Sequence, residues 1–536
     1  MTEVGTFDDL FAGEDAPKPP FLESRSYMIH GEMMQWPGET ETVYSPVMKK
    51  LADGGEAVPI GTFALVDEKT SLEAAECCRK AFNQGRGEWP SMKAEGRIQA
   101  VENFVSRIKE KRDEIVDLIM WEICKSKPDA QKEFDRTMQY VLDTIVDYKN
   151  EQNKESSVVA APGYMAKIRR VPLGVVMCSS PTNYPYNELY TTLIPALLTG
   201  NCAVVKVPRT GGLCHLPTFE LFAECFPAGT VAMLTGKGRT VMQTIMKSGM
   251  VDAFAFIGST KAAIDLTKVH PRPNRLKLCL GLEAKNPGIV FPDADIDLAV
   301  AECTTGSTSY NGMRCTAIKI IYLHSSVKDE FMEKFCKKVD SLKMGLPWES
   351  GVKITPLAEN DKATYLNGLV TDAIEKGAKI ANERGGKYDR TLYAPTILFP
   401  VKDGMKVYEE EQFGPVIPVT TFDDIEEVWA DLLKSNYGQQ AAVFSRSPDT
   451  IAKSIDVLTH AVARVNINGQ CQRGPDVFPF TARKDSAAAT LSVHDALRTF
   501  TIRAMVAIKQ DDAGTKLLRD VVKDDTSKFM AYDYLP

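Results

Sequence analysis

The sequence predicts an α/β protein built on parallel sheets, and three observations carry that prediction. From Leu173 onward the short apolar, β-branched runs LGVVMCSS, NCAVVKV, TVAMLTG and DAFAFIGS are each followed by a segment of helical period. Parallel strands need crossover connections, so this alternation reads as a sheet with helices on both faces. A second cycle starts at PGIVF, runs through an expected helix from Ala294 to Tyr310, and includes AIKIIYLH, YAPTILF and HAVARVNING. The length of 536 residues exceeds the roughly 100 to 200 of a single domain, so more than one core is expected.

Taken in order, residues 1–25 are rich in Asp, Glu, Gly and Pro and read as a flexible acidic arm. From Ser71 to about Tyr148, apolar residues recur at i, i+3 and i+4, as in RIQAVENFVSRIKEKRDEIVDLIMWEI, and predict helices. SVVAAPGYMAKIRR reads as two strands around a Pro-Gly turn, a hairpin standing off the domain. The expected organisation is a first α/β domain over 26–156 and 172–280, and a second over 281–485. One further strand is expected near Arg503 to Ile508, and a charged tail covers 511–536.

Lys and Arg number 64 against 71 Asp and Glu, a formal charge of −7, which gives no global attraction for nucleic acid or anionic lipid. An anionic ligand must therefore be drawn by a local cluster of cations. Apolar content of 44% and charged content of 25% exclude wholesale disorder, collagen and a membrane bundle. No run reaches about 18 apolar residues, and the acidic start lacks the basic flank and apolar stretch of a secretory signal, so the expected location is the cytoplasm. The 12 cysteines show no CxxC, and the 6 histidines form no zinc spacing, so a reducing compartment and no metal are expected.

The dinucleotide fingerprint G-x-G-x-x-G is incomplete in TGKGRT, where no third glycine follows Gly236 and Gly238, and no P-loop is present. The informative segment is SYNGMRCTA, which places Cys315 after a polar, glycine-containing turn. An arginine beside such a cysteine is expected to favour its thiolate, unlike Cys178 or Cys279 inside apolar runs. Glu283, in LGLEAKNPGIV, sits where a strand of an α/β domain ends, which is where catalytic groups are mounted.

Seven segments in order, SPTNYPYN (180–187), VVKVPR (204–209), FIGST (256–260), LGLEAKNP (280–287), NGMRCT (311–316), EEQFGPV (410–416) and FPF (478–480), resemble the aldehyde dehydrogenase superfamily from about residue 40 to 510. The resemblance implies a Rossmann-like cofactor domain, an α/β catalytic domain and a small β oligomerisation element that joins 157–171 to 486–510, with a homotetramer expected and a dimer possible. It further implies that the Cys315 thiolate attacks an aldehyde carbonyl. The Asn183 side-chain amide and the Cys315 backbone N–H would hold the oxyanion. Glu283 would activate the water that hydrolyses the resulting thioester. Coenzyme A is the alternative acceptor in relatives lacking that glutamate, so Glu283 favours a free acid.

By the same resemblance Lys206 meets the adenosine ribose, Ser259 the pyrophosphate, and Glu411 with Phe413 the nicotinamide ribose and ring; Gly238 joins this cofactor set. Members preferring NAD often carry a glutamate where this chain has Arg209. A guanidinium can pair with a 2′-phosphate, so NADP is favoured over NAD. Arg136, Arg314 and Arg473, with Tyr184 and Thr316, resemble the substrate pocket of the branch that oxidises glyceraldehyde 3-phosphate without inorganic phosphate. Three guanidiniums would anchor a dianionic phosphate. The alternatives are a dehydrogenase of another anionic aldehyde, such as a semialdehyde, and a non-catalytic NADP-binding or structural protein. Two departures bear on loop geometry: Ala263 in FIGSTKAAI, where glycine is common, and the alanines of KDSAAATL, where SGxG is usual.

Overall fold

The structure is a computed structural model and describes residues 17–49, 56–155, 157–523, 527–531 and 535. Most of the acidic arm lies outside the described residues. Leu22, near its end, is pinned by backbone hydrogen bonds to Ile60 and Thr62 at 3.0 Å each.

The first domain carries an eight-stranded sheet. Its centre is five parallel strands, in spatial order Val231–Leu234, Cys202–Lys206, Val175–Ser179, Ala253–Ile257 and Lys277–Gly281. The first three are buried along their whole length, as expected of strands covered by helices on both faces. One edge is a hairpin, Ser26–Ile29 with Glu32–Gln35; the other is Ala487–Ala488, antiparallel to Leu280 and Gly281. The helical stretch resolves into Glu68–Phe82, Ala94–Lys109, Arg112–Ile123 and Lys127–Glu155. The first of these shows why it starts and stops where it does: Asp67 accepts from Thr70 N at 2.8 Å, and Asn83 ends it in the left-handed region at φ 44°. An antiparallel pair, Thr40–Met48 with Ala57–Ala64, precedes these helices and carried no clear alternation in the sequence.

The second domain has a seven-stranded sheet in the order Lys379–Ile380, Thr396–Phe399, Val416–Phe422, Ile318–His324, Asn286–Val290, Gln440–Phe444 and Arg464–Ile467. All neighbours are parallel except the first pair. The expected helix near 294–310 is Ile296–Thr308, capped by Asp295, which accepts from Leu298 N at 3.1 Å.

The stand-off hairpin forms as Val158–Ala161 with Tyr164–Pro172, and Thr501–Lys509 pairs with the latter over nine residues. Residues 486–500 do not join that sheet. Ala487–Ala488 closes the first domain's sheet, and the helix Val493–Thr499 packs on Lys127–Glu155 and on Pro185–Leu198. The charged tail has a helix, Asp512–Lys523, and then returns to the body. Met530, Ala531 and Leu535 are buried there, and the buried Lys167 Nζ donates to the carbonyl of Met530 at 2.9 Å and to that of Ala531 at 2.5 Å. No helix among the described residues is long and apolar enough to cross a membrane.

Candidate active site

A cavity of about 1480 Å³ opens between the two domains at the C-terminal ends of their parallel strands, the place where open α/β sheets hold ligands. Every residue nominated from the sequence lines it: Cys315, Glu283 and Asn183; Lys206, Arg209, Gly238, Ser259, Glu411 and Phe413; Arg136, Tyr184, Arg314, Thr316 and Arg473.

The loop bearing Cys315 is shaped by its neighbours. Tyr310, Asn311 and Gly312 are all in the left-handed region, and a Cβ on Gly312 would lie 2.6 Å from the Ser307 carbonyl oxygen. Only glycine fits that turn without moving backbone. Asn311 donates to the Thr355 carbonyl at 2.9 Å and accepts from Thr355 N at 3.0 Å. Asn286 donates to the carbonyls of Cys315 at 2.7 Å and Ala317 at 3.0 Å, tying this loop to the one that carries Glu283. The Asn183 side-chain amide donates to the Met313 carbonyl at 2.9 Å, two residues from the sulfur. Its own carbonyl accepts from Lys125 Nζ at 2.7 Å, and Lys125 is ion-paired with Glu133, both fully buried. The same ammonium stands 3.5 Å from the centre of the Tyr184 ring. Lys125 and Glu133 had no local sequence signal.

Glu283 accepts from Thr260 N at 3.3 Å, so its carboxylate is turned toward the first domain while it lines the same cavity as Cys315. Lys285 rivets the adjoining turn, donating at 2.7 Å to the carbonyls of Val407 and Glu410 and to Gln412 Oε1. Glu411 accepts from Ala284 N at 3.2 Å and pairs at 3.2 Å with the buried Lys319, whose ammonium is 4.9 Å from the Phe413 ring centre. Burial pushes Glu411 up, and Lys319 opposes that shift.

The expectation that the arginine beside Cys315 favours the thiolate does not hold. Arg314 Nη2 donates to the Gly306 carbonyl at 3.0 Å, away from the sulfur. Burial, helped by the charges of Glu188 and Glu411, pushes the Cys315 thiol up to about 11, against a hydrogen bond from Gln439 and the charge of Arg473. A second correction concerns bare guanidiniums. Arg136 forms a bidentate pair with Asp476 at 2.7 and 2.8 Å, and Arg473 pairs with Glu188 and lies 3.4 Å from the same Asp476. Three guanidiniums thus face two carboxylates, leaving one positive charge rather than three. Arg209 likewise has a partner: its Nε donates to Glu41 Oε1 at 2.7 Å. Glu41 and Glu188 were missed because each comes from a part of the chain remote from its arginine.

The chemistry of the lining suits a dinucleotide. Lys206 ends a buried strand with its ammonium pushed down to about 8 by burial, and Glu41 partly opposes that shift. The helices Gly238–Ser248 and Thr260–Lys268 both begin at the cavity, presenting the N-terminal N–H groups that hold phosphates. Ser259 caps the second of these, accepting from Ala262 N at 3.4 Å. Ala263 is fully packed among the apolar residues beneath this helix. Ala489, which lines the cavity, has φ 80°, a strained conformation for alanine.

The chain is 36% identical over 349 residues to an NADP-dependent glyceraldehyde-3-phosphate dehydrogenase of Streptococcus equinus, covering 64% of this chain and 70% of that one. It is 31% identical over 352 residues to a 3-sulfolactaldehyde dehydrogenase of Priestia aryabhattai, covering 65% and 72%. The crystal structure of the NADP-dependent glyceraldehyde-3-phosphate dehydrogenase of Bacillus halodurans, complexed with NADP, superposes with a TM-score of 0.83 at 28% identity, covering 91% of this chain and 100% of that one. The family profile described as "Aldehyde dehydrogenase family" matches residues 49–506, and the chain belongs to that family.

Proposed function

We propose that this protein oxidises D-glyceraldehyde 3-phosphate to 3-phosphoglycerate with NADP and water, through a thioester on Cys315 and without inorganic phosphate. The observation that carries the reading is one cavity lined by Cys315, Glu283 and Asn183, with the arginines at the substrate side and Lys206, Arg209 and two helix N-termini at the cofactor side. NADP supplies a hydride acceptor when bound; Lys206, Arg209, Ser259, Gly238, Glu411 and Phe413 would hold it.

The rest is the work of the chain's own residues. Cys315 loses its proton and bonds the aldehyde carbon, and the side chain of Asn183, fixed on Met313, faces the oxygen that gains the negative charge. Loss of hydride from that carbon leaves a thioester. Glu283 then takes a proton from water as its oxygen bonds the acyl carbon, and the sulfur departs as thiolate. Aldehyde, NADP and water become carboxylate, NADPH and two protons.

One observation favours a second head group. The single net charge at the arginines matches a singly charged sulfonate more closely than a dianionic phosphate, and a relative named for 3-sulfolactaldehyde supports testing it. NADPH formation from each aldehyde in phosphate-free buffer is the test. Cys315→Ser should abolish turnover. Glu283→Gln should give one burst of NADPH per site followed by a steady rate lowered about 10²- to 10⁴-fold. Full turnover in Cys315→Ser would end the proposal. A homotetramer is the assembly expected from the resemblance, with a dimer possible, and Val159, Tyr164, Ile502 and Met505 leave the three-stranded sheet with exposed apolar side chains that a second copy would cover.

A further inference from the structure

Arg473 is nearly enclosed, with 6% of its side chain exposed, yet its charge is only partly satisfied. Nη1 donates to Glu188; Nε lies 3.4 Å from Asp476 but is misdirected for a hydrogen bond; Nε and Nη2 have no hydrogen-bond partner among the described residues. The ring of Phe480 lies 4.6 Å from the guanidinium carbon. Glu188 is as enclosed, at 10% exposed, and its Oε2 also lacks a partner. Both side chains line the cavity that contains Cys315, and Glu188 belongs to the first turn of the helix Pro185–Leu198, directly after Asn183 and Tyr184. These open atoms belong to side chains that line the cavity, where an entering ligand would complete them.

We propose that Glu188 is a specificity-determining residue, the resident counter-ion of Arg473, which sets the charge of the substrate head that this pocket accepts. An incoming anion must share Arg473 with a carboxylate that cannot move far, because helix and guanidinium hold it. Repulsion between Glu188 and the head grows in proportion to the head's charge, so a doubly charged head is penalised twice as much as a singly charged one. The unpartnered Nη2 remains to hold one anionic oxygen, and Glu188 Oε2 remains to accept from a hydroxyl of the substrate. The inference rests on the reading that the arginines face the substrate's head group.

Equilibrium binding of unreactive analogues tests it without turnover. Calorimetry at pH 8 would compare sn-glycerol 3-phosphate, a dianion there, with 2,3-dihydroxypropane-1-sulfonate, a monoanion, on wild type, Glu188→Gln, Glu188→Asp and Arg473→Ala. Glu188→Gln should tighten the phosphate by about tenfold and the sulfonate by about threefold, since the logarithm of the effect follows the charge. Glu188→Asp, which keeps the charge, should retain the wild-type ratio of the two affinities. An unchanged ratio in Glu188→Gln, or weaker binding of both analogues, would overturn the proposal. Failure of the underlying reading has a different signature: Arg473→Ala would then bind both analogues as well as wild type. Absence of binding to both wild type and Glu188→Gln would overturn the two together.

Discussion

Raising the pH should unmask Cys315 in the ligand-free enzyme, and the size of the effect follows from its surroundings. Burial is the largest cause of a thiol pushed up to about 11, and the charge of Glu188 adds to it. Only the ionised sulfur reacts, so about one molecule in a thousand carries a reactive thiolate at pH 8, roughly a hundredfold fewer than for an ordinary thiol near 9. The sign is fixed: the anion is the form disfavoured by burial, so reactivity is low near neutrality and climbs about tenfold per pH unit until about 11. Pseudo-first-order alkylation by iodoacetamide between pH 7 and 10, with peptide mapping to separate Cys315 from the partly exposed Cys225 and Cys336, measures it. Glu188→Gln should raise the rate at fixed pH by removing the second cause. A plateau below pH 9 would refute the argument, because it would mean that the thiolate already exists without substrate or cofactor.

Four further outcomes are expected. Glu41→Gln releases Arg209, so at pH 7 the binding of NADP should tighten about tenfold relative to NAD, read by calorimetry. Raising the pH from 7 to 9 should weaken binding of both cofactors, since the Lys206 ammonium loses its proton near 8. Lys319→Met strands the buried Glu411 carboxylate and should cost about 3 to 5 kcal/mol in thermal unfolding, with loss of cofactor affinity; retained stability would show that the pair contributes little. Ala489→Gly removes a Cβ from φ 80° and, after the greater freedom of glycine in the unfolded chain is set against it, should stabilise by about 0.5 to 1 kcal/mol.

What the sequence determined by itself is what local chemistry determines. Apolar runs such as VVMCS and AFAFI, each followed by a helical period, read as covered strands, the period of 94–123 reads as helical, and the glycine before Met313 marks a turn, which the structure gives a positive φ. Cys315 and Glu283 stood out because each follows or terminates such a pattern, Asn183 came only from the family resemblance, and all three line one cavity. The hairpins of the first 64 residues were not legible: short, half-exposed strands lack a clean alternation, and they are held by pairing with Val231–Leu234 or with each other.

Tertiary structure decided the electrostatics. Glu41 meets Arg209 across 168 residues and Glu188 meets Arg473 across 285, separations at which no spacing rule operates. An arginine next to a cysteine in sequence turned its guanidinium elsewhere, while burial and a distant carboxylate set the thiol. The tail that looked merely charged ends by placing backbone carbonyls on Lys167, more than 360 residues back. The physical reason is common to all of these: hydrophobic period is written in neighbouring residues, whereas the charge that a buried group feels depends on whatever the folded chain brings beside it.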